Sequence, residues 1–147
     1  MFDSIRRSDR VWLCVCLLGV ASTVGCSRGP DLPKTYPLRG KVLFKGGAPV
    51  TGGSISFESA TGEPPWRAGG AIGPDGTFSE VSTLGPHGQE LKGIVAGENR
   101  VKVDLGRGGE DAPKIAVPRR YLDFEKSGLT VQIPAPRDEV SIELDTK

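Results

Sequence analysis

The residues able to do chemistry in this chain are few and widely spaced. The single histidine, His87, sits in Gly85-Pro86-His87-Gly88. A lone imidazole in a Gly/Pro loop reads as a solvated loop residue rather than a base or a ligand. Of the three cysteines, Cys14 and Cys16 lie inside an apolar run and behave as small hydrophobes, which leaves Cys26. One histidine and one cysteine cannot complete a zinc site. A serine triad needs a base held by a carboxylate, and the chain has no Gly-x-Ser-x-Gly elbow. Gly106 to Gly109, followed by Glu110 and Asp111, lacks the Lys-Ser/Thr of a phosphate loop and the alternating oxygen ligands of an EF-hand. It reads as a hairpin tip. Arg119-Arg120-Tyr121 could gather an anion, but a snorkelling surface pair beside a buried tyrosine accounts for it. Two carboxylates brought together by folding could run glycoside hydrolysis without leaving a mark in sequence. The expectation is a protein that is not an enzyme, with no catalytic residue, no metal site and no cofactor.

Composition places these residues in a β-rich chain. The 147 residues allow one domain large enough to bury a core without staples. Twenty-one glycines and 12 prolines, spread without period, suit many turns between short strands. Formal charge is +1. Removing residues 1–25 takes away Arg6, Arg7 and Arg10 against Asp3 and Asp9, and the remainder is neutral. Nucleic acid, which needs a clustered basic surface, is therefore not an expected partner.

The strongest signal is N-terminal. Arg6, Arg7 and Arg10 precede an unbroken apolar run, Val11 to Ala21, and the small residues Ser22, Thr23 and Gly25 follow. That is the charged, apolar, then small order of a secretory signal. As a helix the run would be roughly 16 Å long, against a hydrocarbon core of ~30 Å. It is apolar on every face, so it does not read as a buried amphipathic helix. Thr23-Val24-Gly25-Cys26 resembles the lipobox of bacterial lipoproteins, in which the chain is cleaved after the small residue and the cysteine is diacylated. The family usually carries Leu where Thr23 stands. The resemblance implies cleavage after Gly25, lipidation (diacylation, such as by palmitate) of Cys26, and a membrane as partner. Ser27 to Pro37, broken by Gly29, Pro30, Pro33 and Pro37, reads as an extended tether. Ser27 is not the Asp that retains enteric lipoproteins in the inner membrane. The expected location is thus the outer membrane, facing periplasm or cell surface.

From Leu38 onward the hydrophobic period is two. Leu38, Gly40, Val42 and Phe44 alternate with Arg39, Lys41, Leu43 and Lys45. Ile55 and Phe57 alternate with Ser54, Ser56 and Glu58, which puts Glu58 on a polar face. Trp66 to Ile72 forms a third expected strand. Pro74-Asp75-Gly76 then turns the chain back into Thr77 to Val81, with Phe78 inward. Val101, Val103 and Leu105 form the inward set of a further strand, and Leu129 to Ile133 and Val140 to Leu144 repeat the pattern. No stretch carries a helical period. Seven or eight short strands predict an all-β, antiparallel sandwich over 38–147, after a signal at 1–25 and a tether at 26–37. Gly40 lacks a side chain at an inward position, where Trp66 could pack, and Gly97 reads as a strand-entry kink.

An ordered set of motifs follows: Leu38-Arg39-Gly40-Lys41-Val42, Gly47-Ala48-Pro49-Val50, Gly53-Ser54-Ile55-Ser56-Phe57, Asp75-Gly76-Thr77-Phe78 and Gly97-Glu98-Asn99-Arg100-Val101-Lys102-Val103. The set resembles the carboxypeptidase regulatory-like domain, a transthyretin-like sandwich with Ig-like layering. Val117-Pro118-Arg119-Arg120-Tyr121 and Ser127-Gly128-Leu129-Thr130-Val131 resemble its form in small envelope lipoproteins. Asn99 departs from the pattern, which often has Tyr or His there. Hydroxyisourate hydrolases share the fold but rely on several histidines and a C-terminal Tyr-Arg-Gly-Ser. Here one histidine is available and the chain ends Glu143-Leu144-Asp145-Thr146-Lys147, so the likeness carries no catalytic residue across. The resemblance implies a non-catalytic binding or structural module, with an envelope protein or polysaccharide as partner. The alternative is an accessory domain of an exported hydrolase or peptidase system. The recognition surfaces expected of a sandwich are an edge strand and the loops Ala60 to Arg67 and Gly106 to Lys114. Trp66 is expected in the core.

Overall fold

Alternation of apolar and polar residues gives strands wherever one face can be buried, and the computed structural model describes residues 32–106, 117–134 and 139–146. The signal segment 1–25, Cys26, the tether up to Asp31 and the loop after Gly106 lie outside the described residues. Pro33–Lys147 is one compact unit.

Among the described residues the strands are β1 (Thr35–Tyr36), β2 (Arg39–Phe44), β3 (Ser54–Ser59), β4 (Arg67–Ala71), β5 (Thr77–Phe78), β6 (Ser82–Leu84), β7 (Glu90–Lys92), β8 (Ile94–Val95), β9 (Gly97–Asp104), β10 (Leu129–Ile133) and β11 (Glu139–Leu144). A 3-10 turn covers Arg119–Leu122. The largest sheet has six antiparallel strands in the order β10-β9-β3-β4-β6-β7. A second sheet has the order β11-β2-β5, and β1 with β8 forms a two-stranded ribbon. Ile55, Phe57, Val101 and Val103 from the first sheet share one buried cluster with Val42, Phe44, Phe78 and Leu144 from the second. Each such side chain contributes about 1.5–3 kcal/mol on burial.

The expected purely antiparallel pairing does not hold at the second sheet. β11 runs parallel to β2, with Ile142 opposite Val42 and Leu144 opposite Phe44. The parity is kept, so both inward sets still reach the core.

The Pro74-Asp75-Gly76 turn also differs from the expected hairpin. The returning strand is only Thr77–Phe78, and it pairs with β2 rather than β4. Asp75 Oδ1 accepts from the Thr77 N–H at 3.1 Å and from its hydroxyl at 2.7 Å. The Gly76 carbonyl then accepts from Val42 N at 2.8 Å. A Cβ at Gly76 would lie 2.8 Å from the Val42 oxygen, and φ there is +78°. The turn is thus docked on β2 and carries the chain from one sheet to the other.

Gly40 does make the close approach expected of it, but against Phe78 instead of Trp66. A Cβ there would fall 2.7 Å from Phe78 Cζ. Trp66 is half-buried and packs against Gly85, whose Cβ would come within 2.7 Å of the indole. The end of the expected tether is ordered as well. Thr35 and Tyr36 pair with Val95 and Ile94, and Ala96 N donates to the Lys34 carbonyl at 3.1 Å. Gly97 opens β9 with φ +106°, the kink its position suggested.

Asn99 has a specific role. It is 1% exposed, and its side-chain amide donates to the carbonyls of Val95 at 3.0 Å and Gly97 at 3.1 Å. It satisfies the polar backbone exactly where the chain bends from β8 into β9.

Candidate functional site

The alternation that buries Ile55 and Phe57 sends Ser56 and Glu58 to the other face of β3. The same parity sends Arg100 and Lys102 outward from β9. Sheet order places β9, β3, β4 and β6 side by side, so these residues share one face with Gly69, Ser82 and Leu84. Small side chains at Ser56, Gly69 and Ser82 leave the middle of that face low. The segment Leu122–Glu125 rises beside it, and together they enclose an open groove of about 630 Å³.

That segment is held at both ends. Tyr121 is 4% exposed within the core cluster. Its hydroxyl accepts from Asp145 N and from Arg120 Nη2 at 3.0 Å each, and donates to the Asp145 carboxylate at 3.2 Å. Arg120 also pairs directly with that carboxylate, and Lys45 binds its other oxygen at 3.1 Å. The Lys45 ammonium first, and then the Tyr121 hydroxyl, hold the Asp145 carboxyl below its ordinary value. The clip is therefore fully in place above the usual carboxylate range and is lost only as pH falls below that range, through the lowered native value. At the far end Ser127 Oγ donates to the Val101 carbonyl at 2.6 Å. Asp123 Oδ1 accepts from the N–H groups of Glu125 at 2.9 Å and Lys126 at 3.3 Å, and the Glu125 bond is the main cause of its lowered pKa.

Glu58 corrects the sequence reading. Expected on a solvated face, its side chain is 7% exposed. Oε2 accepts from Arg67 Nε at 2.9 Å and Nη2 at 2.8 Å, and Oε1 accepts from Arg100 Nη2 at 2.8 Å. Both oxygens are engaged by guanidinium donors, so the carboxylate ties β3, β4 and β9 together across the groove floor. Arg67 stays 66% exposed. Its guanidinium lies 5.9 Å from the Phe124 ring centre and the Lys102 ammonium 4.9 Å from it. Glu58→Ala should cost about 1–2 kcal/mol in urea unfolding, since Arg67 keeps most of its access to water while Arg100, whose Nε is already buried without a partner, loses its carboxylate. A loss near zero would mean that the clamp is not made in solution.

The residues singled out in sequence are not brought together. His87 is exposed in the β6–β7 turn, where its backbone N–H donates to Gln89 Oε1 at 3.1 Å. Arg119 is exposed, whereas Arg120 and Tyr121 serve the Asp145 clip rather than an anion site. Of the expected recognition loops, Arg67 alone of Ala60 to Arg67 lines the groove. Gly106 is described, and its N–H is capped by Asp104 Oδ1 at 2.9 Å. Among the described residues no three His, Cys, Asp or Glu side chains gather as a metal site would need. Leu84, Leu122 and Phe124 went unseen in sequence, because nothing local marks an exposed apolar residue as half of a wall. No family model, curated protein or solved structure matches the chain.

Proposed function

We propose that the chain is an exported lipoprotein, held to the outer membrane by acyl chains on Cys26, whose β domain binds an envelope partner and does not catalyse. Two sheets contributing to one buried core support a sandwich, and the ordered motifs from Leu38 to Val103 support a transthyretin-like one of the carboxypeptidase regulatory-like kind. The charged-apolar-small order before Cys26 supports export and anchoring.

The observation that carries the binding reading is the groove on the six-stranded sheet. It is concave and about 630 Å³, within the range of ligand sites, and it is walled by exposed leucines. Its buried carboxylate is committed to two arginines, which fits a shaped recess better than a proton-transfer site.

The test is a turnover screen of the purified protein against ester, peptide and glycoside substrates, run beside His87→Ala, Asp123→Asn and Glu125→Gln. No hydrolysis above background is expected from any of them. Turnover that disappears with one of these substitutions would overturn the reading.

A further inference from the structure

The chain enters its compact unit at the end that carries two apolar connections. The Lys34 carbonyl accepts from Ala96 N at 3.1 Å, and Thr35 pairs with Val95. Two residues beyond Ala96, the Glu98 carbonyl accepts from Ala60 N at 2.9 Å, where the loop Ala60 to Trp66 begins. At the close of that loop the Trp66 indole packs on Gly85, the first residue of the β6–β7 turn. The entry point, the loop and the turn therefore share one end of the unit. Pro64 and Pro86 are exposed there, Leu84 is 59% exposed, and Trp66 is half-buried beside them. Apolar surface converging from two separate connections marks an interaction surface more strongly than scattered residues do.

Charge does not select the occupant of this end. Lys34, Arg39 and Arg67 stand against Glu63, Glu98 and Glu139, and β7 adds one of each sign, Lys92 and Glu90. With the signs balanced, neither an acidic nor a basic partner is favoured over the other.

Reach does select it. Seven residue steps separate Cys26 from Pro33, where the unit begins, and they span at most about 25 Å. A compact unit of this length is about 35 Å across. A domain inverted over the bilayer would lift its entry point beyond that reach, so an acylated Cys26 keeps this end from turning away from the lipid. The headgroup layer it meets is roughly 5–8 Å deep. That layer suits a tryptophan, which has an apolar body and one polar N–H.

We propose that this end of the domain rests on the bilayer that holds the anchor, with Trp66, Leu84 and Pro86 seated among the phospholipid headgroups. The proposal rests on anchoring through Cys26 and adds a second, non-covalent contact that fixes which way the domain faces.

The experiment places the native chain, extracted from membranes, in phosphatidylcholine vesicles with and without a lipid bearing a nitroxide on its headgroup. Flotation and acyl labelling are read first, on the same samples. Trp66 is the one tryptophan after residue 25, so its intrinsic fluorescence reports on the contact directly. The nitroxide should remove most of that emission, and the double variant Leu84→Asp, Pro86→Asp should recover most of it. Both positions are exposed, and unchanged circular dichroism will show that the fold is kept. A dye on Pro86→Cys, the sole free thiol once Cys26 is acylated, should be quenched. The same dye on Ala48→Cys, in the turn beyond the far end of β2, should not. Trp66 emission that ignores the nitroxide, quenching that survives the double substitution, or equal quenching at positions 48 and 86 would each overturn the inference. Those outcomes leave the anchor standing, because flotation and label report on it separately. A chain that neither floats nor carries label would remove the anchor and this contact together.

Discussion

Gly40→Val should remove most of the domain's stability, by roughly 4 kcal/mol or more in urea unfolding. Ordinary overpacking costs about 1–3 kcal/mol because side chains can rotate away. Here the obstruction is partly backbone. A Cβ at position 40 would land on the Val140 carbonyl oxygen, which belongs to the strand paired in parallel with β2. On the same side it would meet Phe78 Cζ at 2.7 Å, and Phe78 is 2% exposed and packed on Phe57 with ring centres 6.0 Å apart. Relief therefore requires β11 to part from β2 or the core ring to leave its place. Against a typical total of about 5–15 kcal/mol, such a loss leaves a marginal domain at best. Gly46→Ala is the companion control for glycine loss as such. A Cβ there meets nothing within 4 Å, although φ of +117° makes the change mildly costly. Equal midpoints for the two variants would show that β2, β5 and β11 do not meet at Gly40 as described.

Much of the β architecture was legible because burial on one face writes a period of two into the sequence. β2, β3, β9, β10 and β11 each show it, and their inward residues Val42, Ile55, Phe57, Val101, Val103 and Leu144 are buried as the pattern requires. Period alone carries no pairing information, so the parallel match of β11 with β2 and the sheet change at Gly76 could not be read from it. The shortest strands were lost for a different reason. β6, β7 and β8 hold two or three residues each, and with Ser82, Glu90 and Lys92 among them they offer no run long enough to alternate. β1 was hidden by Pro33 and Pro37 on either side, although its two residues still pair with β8.

The groove was legible only in part. Outward parity at Ser56, Glu58, Arg100 and Lys102 follows from the strands that contain them. What the parity cannot show is that β3 lies between β4 and β9, which lets Arg67 and Arg100 reach one carboxylate from both sides. A charged residue with two such neighbours is buried by them, and that is why Glu58 looked solvated in sequence. Leu122 and Phe124 depend on the Tyr121 clip to Asp145, a contact across 24 residues that leaves no local trace.

The second large effect concerns place rather than stability, and it bears on the central proposal of a binding domain fixed to a membrane through Cys26. Two acyl chains hold a protein stably where one is marginal, at ~0.8 kcal/mol per buried CH₂. As a helix the apolar run Val11 to Ala21 would be roughly 16 Å long against a hydrocarbon core of ~30 Å, so a permanent span through it is the weaker reading, and the Cys26 variant tests it directly. Anchoring should therefore be all or none at one thiol. The direct measurement is metabolic labelling with an alkyne fatty acid, followed by membrane fractionation, for the native chain and Cys26→Ala. The native protein should carry label and sediment with membranes, while the variant should carry none and leave any processed protein in the soluble fraction. A Cys26→Ala chain that is cleaved normally yet stays membrane-bound, or a native chain that takes up no label, would contradict the account.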